Sequence, residues 1–518
     1  MDIQIRSLDV AAIALYLLAI AGIGVYFSRK NKSTEEYFVG NRSFRGWVIG
    51  LSMLGTSISS VTFLAFPAVA FIGDWRKVVP NLFLPLVAVV AVAVFIPFFR
   101  RRKLTSAFEY LGNRYGSIVR LYGTFGFIIL QLIRLAMVLG LVAVPIQLLT
   151  GAPMSVVIVV AGCFIALYTV AGGIEAVIWT DVMQAIVLLL GGAICFVCIV
   201  VDLPDGFQQI VDVGSMKEKF SLGPMHWSLR EETFWVLMIV GILDWLKMYT
   251  SDQNMIQRYA AASSTREARK ATIIYSAVAV PTWVFFFFLG TCVWVYYQQY
   301  PDAQVTTFLQ GDMTDAEMIF PYFVLTKVPA GIAGIVIAGV LAAAMSSLDS
   351  SINAISTVIT VDILKPFAMP GRDDRVYLRW ARGIAIVTAA WMIGGALLLT
   401  IIPKQSFQDF NLITSSVFAG CLVGLYLLGF FTTRVDNASV VVALVVASLL
   451  NLYFALDGWG KIPEPFSAGV HSYWVSLLVN SLFVVLAYGL SLILRRPRAN
   501  LEGLTIWTPP ARVVERED

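Results

Sequence analysis

Thirteen stretches of this chain are long and apolar enough to cross a bilayer. They lie near residues 9–28, 46–70, 78–99, 117–148, 154–171, 179–202, 232–250, 271–298, 329–360, 376–402, 408–433, 436–456 and 471–494. No soluble core can hide so many, because single cores stop growing near about 250–300 residues. Of the 518 residues, 58% are hydrophobic and 14% charged, against about 45–50% and about 25% in soluble domains. The sequence therefore predicts an all-α membrane protein with thirteen transmembrane helices. It excludes a soluble enzyme, a nucleic-acid binder and a disordered chain.

Basic residues set the orientation, since cytoplasmic loops collect Lys and Arg. With the N-terminus outside, 26 of the 37 basic residues fall on the cytoplasmic side, among them the run Arg100 to Lys103, Arg258 and Arg266. Nine fall outside, and Arg134 and Lys247 fall within spans. The first apolar run is followed by Arg29, Lys30 and Lys32 and reads as an uncleaved anchor. The C-terminus is cytoplasmic, and residues 496–518 form a short tail. The longest connections, 203–231 and 299–328, are external and polar enough for short surface helices. The five cysteines lie in or beside apolar runs and read as packing residues.

Polar residues inside hydrocarbon are costly and usually functional. The second span carries Gly55-Thr56-Ser57-Ile58-Ser59-Ser60-Val61-Thr62, followed by Pro67 and Gly73. Such a segment either packs tightly as a small-residue interface or interrupts its helix and frees carbonyls to coordinate a cation. In the ninth span, Ala343, Ser346, Ser347 and Ser350 share one helical face. With Asp349 they offer hard oxygen ligands suited to Na⁺; the alternative is hydroxyls bonding back to their own helix. Asp181 follows the pair Gly172-Gly173 and either caps the next helix or binds a cation. Arg134 stands alone in Leu132-Ile133-Arg134-Leu135 and needs either an internal acid or an anionic ligand. Asp244 and Lys247 sit at i, i+3 and read as a self-neutralising pair.

Three segments, in this order, resemble the sodium:solute symporter family: Leu167 to Gln184, Asp252-Gln253-Asn254-Met255-Ile256-Gln257-Arg258-Tyr259, and Ala343-x-x-Ser346-Ser347. The resemblance covers roughly residues 9–495. It implies one transporter domain over 1–495, built on a 5+5 inverted-repeat core whose first and sixth helices are broken. The repeats would span about 46–202 and 232–433, with the helices at 9–28, 436–456 and 471–494 peripheral. It implies a first sodium site from carbonyls of Gly55, Ile58 and Ala343 and hydroxyls of Ser346 and Ser347. A second sodium site, found in some members, would use Asp181, Ser346 and Ser350. Members often carry Ser or Thr where this chain has Asp349, which makes Asp349 a candidate fourth group there.

Within the family the look is nearest to bacterial sialic acid symporters. That likeness places Arg134 on the solute carboxylate and Ser59, Thr62 and Asn81 near the solute, with glutamine expected where Asn81 stands. Sugar symporters instead use a lysine in the eighth span, absent from Tyr275 to Val280, and a tyrosine where this chain has Met248. Asp74-Trp75 does resemble their acidic-Trp pair, and Asn411 lies where they use glutamine. The expected function is Na⁺-coupled import of a small anionic solute, sialic acid first, across a bacterial inner membrane. The alternative is a neutral sugar or another organic acid. No catalysis, nucleic acid or obligate protein partner is expected.

Overall fold

A computed structural model describes residues 6–28, 32–310, 316–400, 420–494 and 501–508. The main helices are α1 (Ser7–Ser28), α2 (Gly46–Ser57), α3 (Val61–Ile72), α4 (Arg76–Arg101), α5 (Ser117–Thr150), α6 (Met154–Asp202) and α7 (Phe234–Ser251). They continue with α8 (Gln253–Ala261), α9 (Thr265–Gln299), α10 (Ile332–Ala368), α11 (Asp374–Leu399), α12 (Leu422–Phe431), α13 (Asn437–Gly458) and α14 (Tyr473–Leu494). Ten helices are long and apolar enough to span, or eleven if the bent pair α2 and α3 is one span. The expected thirteen are not reached among the described residues, for two reasons. Spans 154–171 and 179–202 are arms of the single helix α6. Of the span at 408–433, the described helix is Leu422–Phe431, and Asn411 lies outside the described residues.

A straight helix of 49 residues would measure about 74 Å, more than twice the roughly 30 Å hydrocarbon core. Gly173 breaks it at φ 57°, ψ −162°, a conformation open to glycine because it has no Cβ. The neighbouring glycine is equally constrained, since a Cβ on Gly172 would lie 2.3 Å from Ala176 Cβ.

The first expected interruption falls between α2 and α3, which meet at 62°. Ile58 leaves the helix at φ −89°, ψ 97°. Ser59 restarts it: its hydroxyl accepts from Val61 N–H at 3.2 Å and its carbonyl from Thr62 N–H at 2.9 Å. These bonds satisfy donors that a new helix leaves open. Pro67 lies inside α3, beyond the break, and does not make it. The second interruption falls at Asp252, which is extended between α7 and α8 and caps Asn254 N–H at 2.8 Å.

Helix α10 is the hub, buried along almost its whole length from Ala333 to Val358. Its stripe of Gly, Ala and Ser lets neighbouring backbones approach closely, the usual basis of helix association where lipid is as apolar as Leu. Outward-facing Leu15, Leu18, Leu167, Val201 and Ile493 are exposed, as befits a surface meant for lipid. The connections expected to carry short helices do so, at Gly206–Met216, Ala303–Gln310 and Ile319–Lys327. Residues 501–508 of the tail fold back onto the helices. Ile506 N–H donates to the Phe430 carbonyl at 3.0 Å, and Tyr110 donates to the Leu504 carbonyl at 3.0 Å.

Candidate functional site

The break in α2–α3 leaves carbonyls without helical donors, and α10 supplies hydroxyls against them. Ser346 Oγ donates to the Gly55 carbonyl at 2.7 Å and to the Ala343 carbonyl at 3.1 Å. Ser347 Oγ reaches the Thr56 carbonyl at 3.4 Å. Four of the five expected first-site residues therefore converge on one spot, and Ile58 lies at the break three residues beyond Gly55. Ser351 faces elsewhere, donating to Gln131 Oε1 at 2.9 Å and to the Ser347 carbonyl at 2.8 Å. The approach is tight: a Cβ on Gly55 would lie 3.0 Å from the Asp181 carbonyl oxygen.

One turn further along α10 lies a buried charge cluster. Arg258 Nη2 donates to Asp181 Oδ2 at 2.7 Å and to Ser350 Oγ at 2.6 Å, and its Nε donates to Ser52 Oγ at 2.9 Å. Ser52 Oγ donates in turn to Asp181 Oδ2 at 2.6 Å. Asp349 turns the other way. Its Oδ2 accepts from Tyr168 OH at 2.9 Å and Thr180 Oγ1 at 3.4 Å, and its Oδ1 from Ser350 Oγ at 3.3 Å. Asp181 and Asp349 are fully buried and Arg258 nearly so. The cluster thus holds two carboxylates against one guanidinium. Asp181 Oδ1 has no hydrogen-bond partner among the described residues. A buried carboxylate oxygen left open beside a second carboxyl group fits a small hard cation.

Arg258, counted with the cytoplasmic basic residues for orientation, is 1% exposed and bonded to two of the expected second-site residues. The signal was its place in the Asp252 to Tyr259 segment, but nothing local named its partner. Ser52, Thr56 and Tyr168 were also missed. Thr56 Oγ1 lies 3.3 Å from Ser350 Oγ.

Among the expected solute residues, Ser59 and Thr62 are buried at the break, and Asn81 lies half-buried in α4. Arg134 is half-buried in α5, one turn beyond Gln131, which contacts Ser351. It has no ion pair or hydrogen bond among the described residues. Asp252 acts on it through charge alone; Asp349 is engaged as above, and Asp74 with Arg76, whose Nε and Nη2 both lie 2.8 Å from its oxygens. Burial raises the Asp74 pKa, but the hydrogen bonds and charge of Arg76 outweigh it and hold the carboxyl below its usual value. Asp244 and Lys247 pair at 3.1 Å, as their spacing predicted.

Comparison with known proteins agrees with this architecture. Residues 37–446 match the sodium:solute symporter family. The chain is 32% identical over 434 residues to the sodium/sialic acid symporter SiaT of Proteus mirabilis, covering 83% of this chain and 86% of that one. It is 31% identical over 455 residues to the sodium/sialic acid symporter NanT of Aliivibrio fischeri, covering 87% and 88%. A solved Na⁺-coupled sialic acid symporter in a substrate-bound outward-open state superposes with a TM-score of 0.86 at 29% identity, over 96% of this chain and all of that one. Mhp1, a nucleobase-cation-symport-1 family transporter, shares the fold with a TM-score of 0.58 at 16% identity, over 90% of this chain and 96% of that one. With a family match over most of its length, broken helices where that family implies them and relatives above 30% identity, the chain belongs to the sodium:solute symporter family.

Proposed function

We propose that this chain imports N-acetylneuraminate, or a closely related sialic acid, by Na⁺-driven alternating access. The observation that carries the substrate class is Arg134, a half-buried guanidinium in a membrane span with no hydrogen bond or ion pair among the described residues, Asp252 acting on it through charge alone. An arginine so placed is costly, and a planar carboxylate that accepts two parallel N–H bonds is its natural counterion. The curated relatives named for sialic acid support the same reading. Ser59, Thr62 and Asn81 would supply neutral hydrogen-bonding groups to a polyhydroxylated solute, and Asp74 is set aside as a direct contact because Arg76 occupies it.

The first Na⁺ would be held by carbonyls of Gly55, Ile58 and Ala343 and hydroxyls of Ser346 and Ser347. A second would be held at Asp181, Ser346, Asp349 and Ser350, where two acids face one guanidinium. Ion binding at the first group pins α10 against the break in α2–α3 and so shapes the adjoining solute site. That link makes solute affinity depend on Na⁺. The N-terminus would lie outside and the C-terminus in the cytoplasm. A screen of sialic acids, neutral sugars and monocarboxylates for Na⁺-dependent thermal stabilisation tests this reading, because a ligand bound only to the folded protein raises its stability. Stabilisation by N-acetylneuraminate in Na⁺ and not in K⁺ is expected. Stabilisation by neutral sugars alone would overturn the substrate assignment.

A further inference from the structure

The connection between α6 and α7 carries a buried cation that the solute and sodium sites do not use. Lys219 is 7% exposed, and its Nζ donates to the carbonyls of Ala70 at 3.2 Å, Phe71 at 2.7 Å and Gly73 at 2.9 Å. Those of Ala70 and Phe71 are among the last carbonyls of α3, which have no helical donor. A positive charge there also meets the negative end of the helix dipole. The same ammonium lies 4.5 Å from the centroid of the Trp294 ring on α9. Flanking contacts join the same elements. Trp75 N–H donates to the Ser221 carbonyl at 3.0 Å, Trp75 Nε1 donates to Thr291 Oγ1 on α9 at 3.0 Å, and the Trp75 and Phe220 rings meet edge-on at 5.0 Å.

We infer that Lys219 is a positioning residue for transport, a charged clasp that ties the outer half of the broken helix to α9 so that the two move as one body. The inference rests on the carrier reading but not on the identity of the solute. The charged and titratable groups on the surrounding elements are accounted for. Asp74 pairs with Arg76, and Lys77 pairs with Glu232. Tyr297 lies on the Trp294 helix with its ring against Phe71, and Lys217 and Glu218 are sequence neighbours. Burial pulls the Lys219 pKa down to about 8 from an ordinary value of 10.5, with Asp74 partly opposing the shift.

The clasp is therefore charged below about pH 8 and loses a donor and its charge above it. Global stability runs the other way. Between about pH 8 and 10.5 the unfolded chain binds more protons at this lysine than the folded one, so its contribution to stability rises with pH. The same sign holds for a local opening that returns the ammonium to water, so titration of Lys219 does not loosen the clasp as pH rises.

The test is hydrogen exchange of residues 66–76 in the bilayer-reconstituted full chain at pH 7 with Na⁺ present. It needs no solute. Lys219→Met, which removes the charge and the donors to three carbonyls, should lose protection in this segment by about tenfold or more while α10 stays protected. Lys219→Arg, which keeps a charge and donors at this position, should restore most of that protection. Full protection in Lys219→Met, or an equal loss in Lys219→Met and Lys219→Arg, would overturn the clasp. Failure of N-acetylneuraminate to bind would overturn the solute assignment and leave this result standing.

Discussion

Replacing Arg134 by Ala separates a solute clamp from a structural cation, because the two roles predict different losses of stability. A buried arginine that neutralises an internal acid is costly to remove: stranding the acid costs about 3–5 kcal/mol. Arg258 is such a residue, since its loss would leave Asp181, fully buried, with Ser52 as its remaining hydrogen-bonding partner. Arg134 has no hydrogen bond or ion pair to an acid among the described residues, and Asp252 acts on it through charge alone, so Arg134→Ala should lower the thermal midpoint of the purified, solute-free protein far less than Arg258→Ala does. Solute affinity should collapse. Each charge-assisted bond contributes about 1.5–3 kcal/mol, so losing a two-pronged grip costs at least about 3 kcal/mol, a weakening of roughly 150-fold or more. Arg134→Lys keeps the charge but not the fork and should fall in between. The assay is a melting curve for each variant beside Arg258→Ala, with calorimetric titration of N-acetylneuraminate in Na⁺. A melting loss in Arg134→Ala matching that of Arg258→Ala, with solute affinity retained, would refute the clamp.

Two further predictions follow from the ion sites. Ser346→Ala should raise the Na⁺ concentration needed for half-maximal uptake by at least about tenfold, because that hydroxyl joins the Gly55 and Ala343 carbonyls. Ser351→Ala, on the Gln131 side, should change it little, and equal mild effects would misassign the ligand face. If both cation sites fill, two Na⁺ enter with one anion and each cycle moves one net positive charge, so uptake should quicken as the interior is made negative. Voltage-independent uptake of the anion would leave one Na⁺ per cycle.

Much of this was legible along the chain. The run Gly55 to Thr62 and the serine face of α10 are local patterns, and local spacing fixes which groups share a helix face. The Gly173 break was equally visible, because a glycine pair between two apolar runs marks a turn. Residues whose roles depend on distant partners were not legible. Arg258 is separated from Asp181 by 77 positions and carries the same charge as the loop arginines that set orientation. Lys219 acts on carbonyls, which every residue possesses and no sequence displays. The pairing of Asp74 went unread for a simpler reason: Arg76, two residues on, was counted as a loop charge and not as its partner.

The central claim is that Na⁺ drives a sialic acid uphill, and gradient-driven uptake of N-acetylneuraminate into proteoliposomes tests it most directly. At 100 mV each entering charge contributes about 2.3 kcal/mol, and a tenfold Na⁺ gradient adds about 1.4 kcal/mol per ion. Two Na⁺ per monoanion leave about 5 kcal/mol, enough for a several-thousand-fold limit, whereas one Na⁺ leaves about 1.4 kcal/mol and a limit near tenfold. The account predicts accumulation well above tenfold with an inward Na⁺ gradient and none when K⁺ replaces Na⁺. Uptake that only equilibrates, or that proceeds equally in K⁺, would contradict it.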